Sequence, residues 1–264
     1  MDQDNLNYLH ENLKYMGFGV DTQLNLALEA QIRLEPASFE LYAEAYFGDE
    51  TKMEARLFFK RGTDSERYYF NKYEALLRFN DNPEKDKTQT FHLNKGGRGV
   101  TFKEAYNLLE GRFVHKNVVD ETGKKEPKWL QLNFAEKTIW GNYKINRFSD
   151  HFDLEKTLRQ YKIRELEAEE LEQRICRSLR RGNLHPVTFI LNSKKPQRML
   201  IWASPVERTI KNQPEVTSAN GKGGDPVELT EIPEAIQEQD NNLEIEKSLL
   251  QDEPSTTKKK KVHQ

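Results

Sequence analysis

Cysteine is nearly absent: the 264 residues contain one, Cys176. A lone thiol cannot close an intramolecular disulfide, and cysteine-rich zinc sites are excluded. The expected setting is a reducing cytoplasm. Long apolar runs are missing too. Hydrophobic residues make up 36% and charged residues 32%, and no stretch approaches the ~18 apolar residues that cross a bilayer, so no membrane association is expected. The opening MDQDNLNYLHENLKYMGFG has neither a basic n-region nor an apolar h-region, and no secretory signal is expected. Excess positive charge is lacking: 41 Lys+Arg against 43 Asp+Glu give a net −2. Bulk charge therefore does not mark a strongly basic nucleic-acid binder. No two histidines stand four apart on a helix, and HExxH and GxSxG are missing. No metal or cofactor site is expected.

Aromatic residues are missing from the C-terminal part. All Trp, Tyr and Phe precede Ser204, and residues 205–264 carry twelve acidic against eight basic side chains, net −4. Without large apolar side chains such a segment cannot offset an ordering entropy of ~1–2 kcal/mol per residue. The expectation is a folded region over 1–204, with possible sub-units 1–95, 96–150 and 151–204, and a disordered acidic tail over 205–264. The tail's Lys258, Lys259, Lys260 and Lys261 are a candidate contact for phosphates or a receptor, although a charge run at a chain end is more often simply solvated.

What is present in 1–204 has clear periods. Leu6, Leu9, Leu13 and Met16 predict one apolar helix face, and Leu24, Leu28 and Ile32 predict a second helix over 21–34. In SFELYAEAYF and KMEARLFFK, apolar and polar residues alternate on either side of Gly48-Asp49-Glu50, which predicts an antiparallel hairpin with one buried face. Further strands are predicted at 67–79 and 88–93. Thr101-Phe102-Lys103-Glu104 has capping-box spacing before a helix that ends at Gly111. Strands RFVHKNVV and PKWLQLNF follow. Asp153 caps a predicted helix to Tyr161, a longer helix covers 165–181, and HPVTFILN and QRMLIWAS form a last hairpin. A helix thus precedes a hairpin three times, at 21–60, 101–134 and 165–203. The expected fold class is α+β, with an antiparallel sheet built from repeated helix–β-hairpin units.

Candidate chemistry is sparse. Lys95-Gly96-Gly97-Arg98-Gly99 followed by a helix start at Thr101 suits an anion: glycines let backbone N–H groups approach it and the helix end adds positive potential. A plain strand-to-helix turn needs the same glycines. Arg67-Tyr68-Tyr69-Phe70-Asn71-Lys72-Tyr73 interleaves aromatic and basic groups that can stack bases, or that are half-buried β-formers. His151 and Asp153 form a tight His–carboxylate pair, to be weighed against a helix cap and a surface histidine. Cys176, between Ile175 and Leu179, fits helix-face packing better than nucleophilic work.

Residues 94–134, above all KEAYNLLEGR and WLQLNF, resemble uncharacterised proteins carried by mobile elements of Bacteroidota. NLNYLHENLKYMGFG, YYFNKYEA and SLRRGN…VTF are similar as well. A weaker likeness links the chain to a domain of unknown function found beside DNA-processing modules on conjugative transposons. The resemblance implies a cytoplasmic, mobile-element context and carries no catalytic residues. The expected role is a non-catalytic accessory binding module that contacts nucleic acid or a protein partner from the same element. The alternatives are an adaptor acting through the C-terminal tail and a cryptic metal-assisted enzyme using His151 and Asp153.

Overall fold

The computed structural model describes residues 2–19, 22–47, 51–80, 82–93, 99–119, 123–190 and 195–215. Helix α1 (Gln3–Tyr15) starts at Asp2, whose carboxylate accepts from the N–H groups of Asp4 and Asn5. This cap satisfies two donors that the first turn leaves free. Leu6, Leu9, Leu13 and Met16 are buried along one stripe, and α2 (Thr22–Arg33) buries Leu24, Leu28 and Ile32. Both stripes face a sheet whose strands follow chain order: β1 (Ser38–Tyr46), β2 (Thr51–Arg61), β3 (Tyr68–Phe79) and β4 (Lys87–His92), all antiparallel. The alternation holds. Met53, Ala55, Leu57 and Phe59 are buried, while Lys52, Glu54 and Arg56 point the other way.

Asn5 fastens α1 to this sheet. Its Nδ2 donates to the carbonyl of Tyr68 at 2.9 Å, and its Oδ1 accepts from the Tyr68 N–H at 2.7 Å. Strand β4 pairs with β3 over Lys72–Leu77 and the Leu93 N–H donates to the Asn71 carbonyl; beyond that point the amide of Asn5 takes up the outward backbone groups of β3 at Tyr68. The described half of the anion-type loop leads into α3 (Phe102–Leu109), which begins with the expected capping box.

A second sheet, β5 (Val114–Val119), β6 (Lys125–Lys137) and β7 (Tyr143–Ser149), is apolar on both faces near its centre. Val114, Val118, Leu130 and Leu132 join the core shared with α1, α2 and α3. Phe113 and Trp129 point the opposite way into a second core. That core is completed by α4 (Leu154–Leu158), α5 (Glu169–Arg180) and a third sheet, β8 (His185–Phe189), β9 (Gln197–Ser204) and β10 (Thr209–Pro214), ordered β10-β9-β8. The molecule is α+β with antiparallel sheets, as expected. Among the described residues no helix is long and apolar enough to cross a membrane.

The cores are tied by polar contacts as well. Asn107, fully buried on α3, donates to the carbonyl of Arg181 at 2.7 Å and accepts from Arg112 Nη2 at 2.7 Å, and Arg112 Nε donates to the carbonyl of Gly182 at 2.8 Å. Gly182 has φ +78, and a Cβ there would meet the Phe113 carbonyl at 2.6 Å. Only glycine allows both the turn and this approach.

Three expectations need correction. The expected start of the disordered tail at 205 falls inside the third sheet: Pro205–Arg208 turns the chain and β10 pairs with β9. Ile210 is buried in the second core, and this aromatic-free strand is held on the sheet edge by its pairing with β9 and by the Tyr161–Thr209 hydroxyl contact. The expected helix over 165–181 is two pieces, a 3₁₀ turn at Arg164–Glu167 and then α5, separated by the extended backbone of Ala168. Tertiary contacts override helix propensity here: Ile163 bridges to Phe189, and Glu165 accepts from the Thr188 N–H. The two later hairpins each carry a third strand, β7 and β10.

Replacing Asn5 with alanine orphans both backbone groups of Tyr68 in a buried place. The expected loss is about 2–4 kcal/mol, measured by urea unfolding. A loss under about 1 kcal/mol would show that the Asn5 clamp does not hold α1 to the sheet.

Candidate functional site

Of the candidate loop, Lys95, Gly96, Gly97 and Arg98 lie outside the described residues, as do Lys258, Lys259, Lys260 and Lys261. Gly99 and Thr101 are described, and the Thr101 N–H and the Gly99 carbonyl are used internally. The Thr101 N–H donates to Glu104 Oε2 at 2.9 Å, the Glu104 N–H to Thr101 Oγ1, and the Phe102 N–H to the Met16 carbonyl. Lys116 Nζ sits 2.7 Å from Glu104 Oε2 and donates to the Gly99 carbonyl. The carboxylate of Glu104 therefore occupies the helix end that an external anion would use. Gly99 is needed for space, since a Cβ would lie 2.9 Å from the His92 carbonyl.

The His151–Asp153 pair is not assembled. Asp153 accepts from the Lys156 N–H at 2.9 Å as the cap of α4, and His151 is exposed. A different histidine finds a carboxylate: His115 Nε2 is 3.0 Å from Asp150 Oδ1, off the line of a good hydrogen bond, and its ring lies 4.9 Å from that of Trp129. Burial pushes the His115 imidazole below its ordinary range despite Asp150, so it stays neutral at pH 7. Burial pushes the Cys176 thiol up to about 11, which keeps it from acting as a thiolate. Among the described residues no three His, Cys, Asp or Glu side chains gather to hold a metal.

The aromatic and basic stretch over 67–73 divides by strand parity. Tyr68, Phe70 and Tyr73 are buried, and Tyr68 and Tyr73 donate their hydroxyls to the carbonyls of Pro36 and Val100. Phe58, Asn71 and Lys72 remain on the outer face of the first sheet. That face is a lattice of opposite charges. Lys52 meets Glu44 and Glu54, Arg56 meets Glu40 and Glu74, and Arg78 meets Glu54 and Asp86, at distances of 2.6 to 3.6 Å. Burial alone would raise the Glu54 carboxyl, but hydrogen bonds from Arg78 and Lys52 outweigh it and hold the group below its ordinary value.

One end of the face is different. The β2–β3 register shifts between Phe58 and Phe59, so Asn71 is an extra residue. Bulges of this kind redirect side chains next to binding sites. Glu40, Phe58, Lys60, Asn71 and Lys72 line a groove of about 350 Å³ there, with Glu40 already paired to Arg56. Arg56 lies 4.9 Å and Lys72 5.0 Å from the Phe58 ring centre. Lys60 and Lys72 form no ion pair with a described residue. Sequence reasoning passed over Phe58 and Lys60. The available signal was Phe58 itself, an aromatic at a polar position of an otherwise strict alternation.

No protein-family model, curated protein or solved structure matches this chain.

His115 and His185 are both held low chiefly by burial. Below pH 6.5 the unfolded chain takes up protons that the folded chain refuses, so stability falls as pH falls through that range and is recovered above it. Urea titrations between about pH 5.5 and 7.5 are expected to show this slope, and His115→Gln with His185→Gln to flatten it. An unchanged slope would place the proton uptake elsewhere.

Proposed function

We propose that the chain is a non-catalytic accessory binding module whose contact surface is the outer face of the four-stranded sheet. The observation that carries this reading is the bulged groove, where a partly exposed phenyl ring is flanked by three cations and an amide. The surface is open, which suits an extended partner better than a small substrate. A protein partner is favoured because the other cations on the face are already matched by acids, leaving a small polar and aromatic patch whose only unpaired cations among the described residues are Lys60 and Lys72. The mobile-element setting rests on the sequence resemblance alone. The three helix-then-sheet units are, in this reading, divergent copies of one ancestral unit, supported by their shared element order.

A second reading, single-stranded nucleic acid, is favoured by Phe58 with Lys60 and Lys72, since a base stacks on an aromatic floor while cations meet its phosphates. Affinity capture and gel shifts with wild-type protein and the Phe58→Ala, Lys60→Glu and Lys72→Glu variants test both. The expected result is a partner, or a salt-sensitive shifted band, weakened at least about tenfold by Phe58→Ala, in line with ~1–3 kcal/mol per stacked ring. Partners retained equally by all variants would overturn the assignment.

The tail-adaptor alternative is tested by truncation after Glu215, because β10 belongs to the third sheet. Removing 216–264 is expected to leave the melting temperature within about 2 °C, whereas removing 205–264 exposes the second core and lowers it by at least about 4 °C. Loss of a partner on the shorter truncation would favour the tail, and an unchanged melting temperature on the longer one would remove β10 from the stabilising core.

A further inference from the structure

The two edges of the first sheet are treated differently. At β4 the edge is closed: the Thr90 N–H donates to Asn142 Oδ1 at 2.8 Å, while Gln89 donates to the Tyr143 carbonyl and accepts from the Tyr143 N–H. At β1 no described strand pairs with the outer edge. The Arg61 N–H donates to the Ala37 carbonyl. Hydrogen-bonded residues alternate along an antiparallel pair, so Phe39, Leu41, Ala43 and Ala45 turn their backbone groups to β2. Glu40, Tyr42, Glu44 and Tyr46 turn theirs outward.

We propose that this edge pairs with the same strand of a second copy, antiparallel about a two-fold axis at Ala43, to make one sheet continuous across a dimer. This goes beyond the proposed binding role and does not depend on what the outer face binds. The occupant follows from the side-chain pattern Glu-Tyr-Glu-Tyr. An axis at Tyr42 sets Glu40 against the partner's Glu44, and an axis at Glu44 sets that residue against itself, both like-charge contacts that oppose pairing. An axis at Ala43 sets Tyr42 opposite the partner's Glu44 and Tyr46 opposite the partner's Glu40. Each tyrosine hydroxyl can then donate to a carboxylate. The same register uses every outward backbone pair from Glu40 to Tyr46. Exposure agrees: Tyr42 and Tyr46 are 71% and 65% exposed, and on the core side Ala43 and Ala45 are only partly covered. In this register Ala43 meets its own copy and Ala45 meets the partner's Leu41, giving the uncovered end of each strand an apolar neighbour.

Sedimentation of the full chain tests this. Wild-type protein at about 100 μM is expected at twice the 31.0 kDa chain mass. Tyr42→Pro removes an outward N–H without touching the β1–β2 ladder, and is expected to sediment as a single chain with an unchanged circular dichroism spectrum. If that variant does not fold, Tyr42→Glu and Tyr42→Lys decide: the first sets two acids face to face and dissociates the dimer at least tenfold more readily, and the second keeps it. A wild-type protein that stays a single chain, a dimer that survives Tyr42→Pro, or equal dissociation by Tyr42→Glu and Tyr42→Lys would overturn the proposal. Loss of groove binding in Phe58→Ala with the dimer intact leaves this inference standing, since Phe58 belongs to β2, behind the pairing edge of β1.

Discussion

The second sheet is a wall with two apolar faces, and the other elements are arranged against it. In a strand, neighbouring residues point to opposite sides, so Trp129 and Leu130 are adjacent in sequence yet serve different cores. A sheet buried on one side tolerates polar residues on the other. This one is covered on both sides near its centre, and the polar groups it carries there, such as Lys116 and Gln131, are held by specific partners. The Asn107–Arg112–Gly182 contacts close the same junction from the helix side. The cost of separating the two cores is thus the exposure of large side chains on both faces at once, at ~1.5–3 kcal/mol for each fully buried side chain.

This arrangement explains where polar chemistry ended up. Groups drawn toward the wall lose their charge or find a partner: His115 is kept neutral, Cys176 is kept as a thiol, and Glu104 is satisfied by Lys116 and the start of α3. Groups on the outer face of the first sheet stay hydrated and charged, and neutralise one another across strands. Exposed pairs of this kind contribute little stability, typically ~0–1 kcal/mol. Their effect is on recognition, because they leave Phe58, Lys60 and Lys72 as the place where aromatic surface and uncompensated positive charge coincide.

The hairpin from Phe39 to Phe59 was legible because one face is buried and the other wet, which writes a period of two into the sequence. The Thr101 cap was legible because its chemistry is local. The inward parity of Tyr68, Phe70 and Tyr73 was not, since that stretch is apolar at mixed spacing and the extra residue at Asn71 shifts the pattern. Strands β7 and β10 carry few apolar residues and depend on neighbours already in place, Ile145 on the first core and Ile210 on the second. The break at Ala168 was invisible for a related reason: the glutamates of 165–170 favour helix locally, and the contacts of Ile163 and Glu165 with β8 override them. The His115–Asp150 contact joins a β5 residue to the bend that follows β7, a distance in sequence that no spacing rule reports.

The most direct test of the wall is native-state hydrogen exchange on Leu130→Ala, a cavity placed on the face toward the first core only. If the two cores share one wall, amides in α1 and in β9 lose protection together and by similar free energies, as expected of one cooperative unit. Loss of protection confined to α1 and the first sheet, with β9 unchanged, would contradict the account and make the two cores independent.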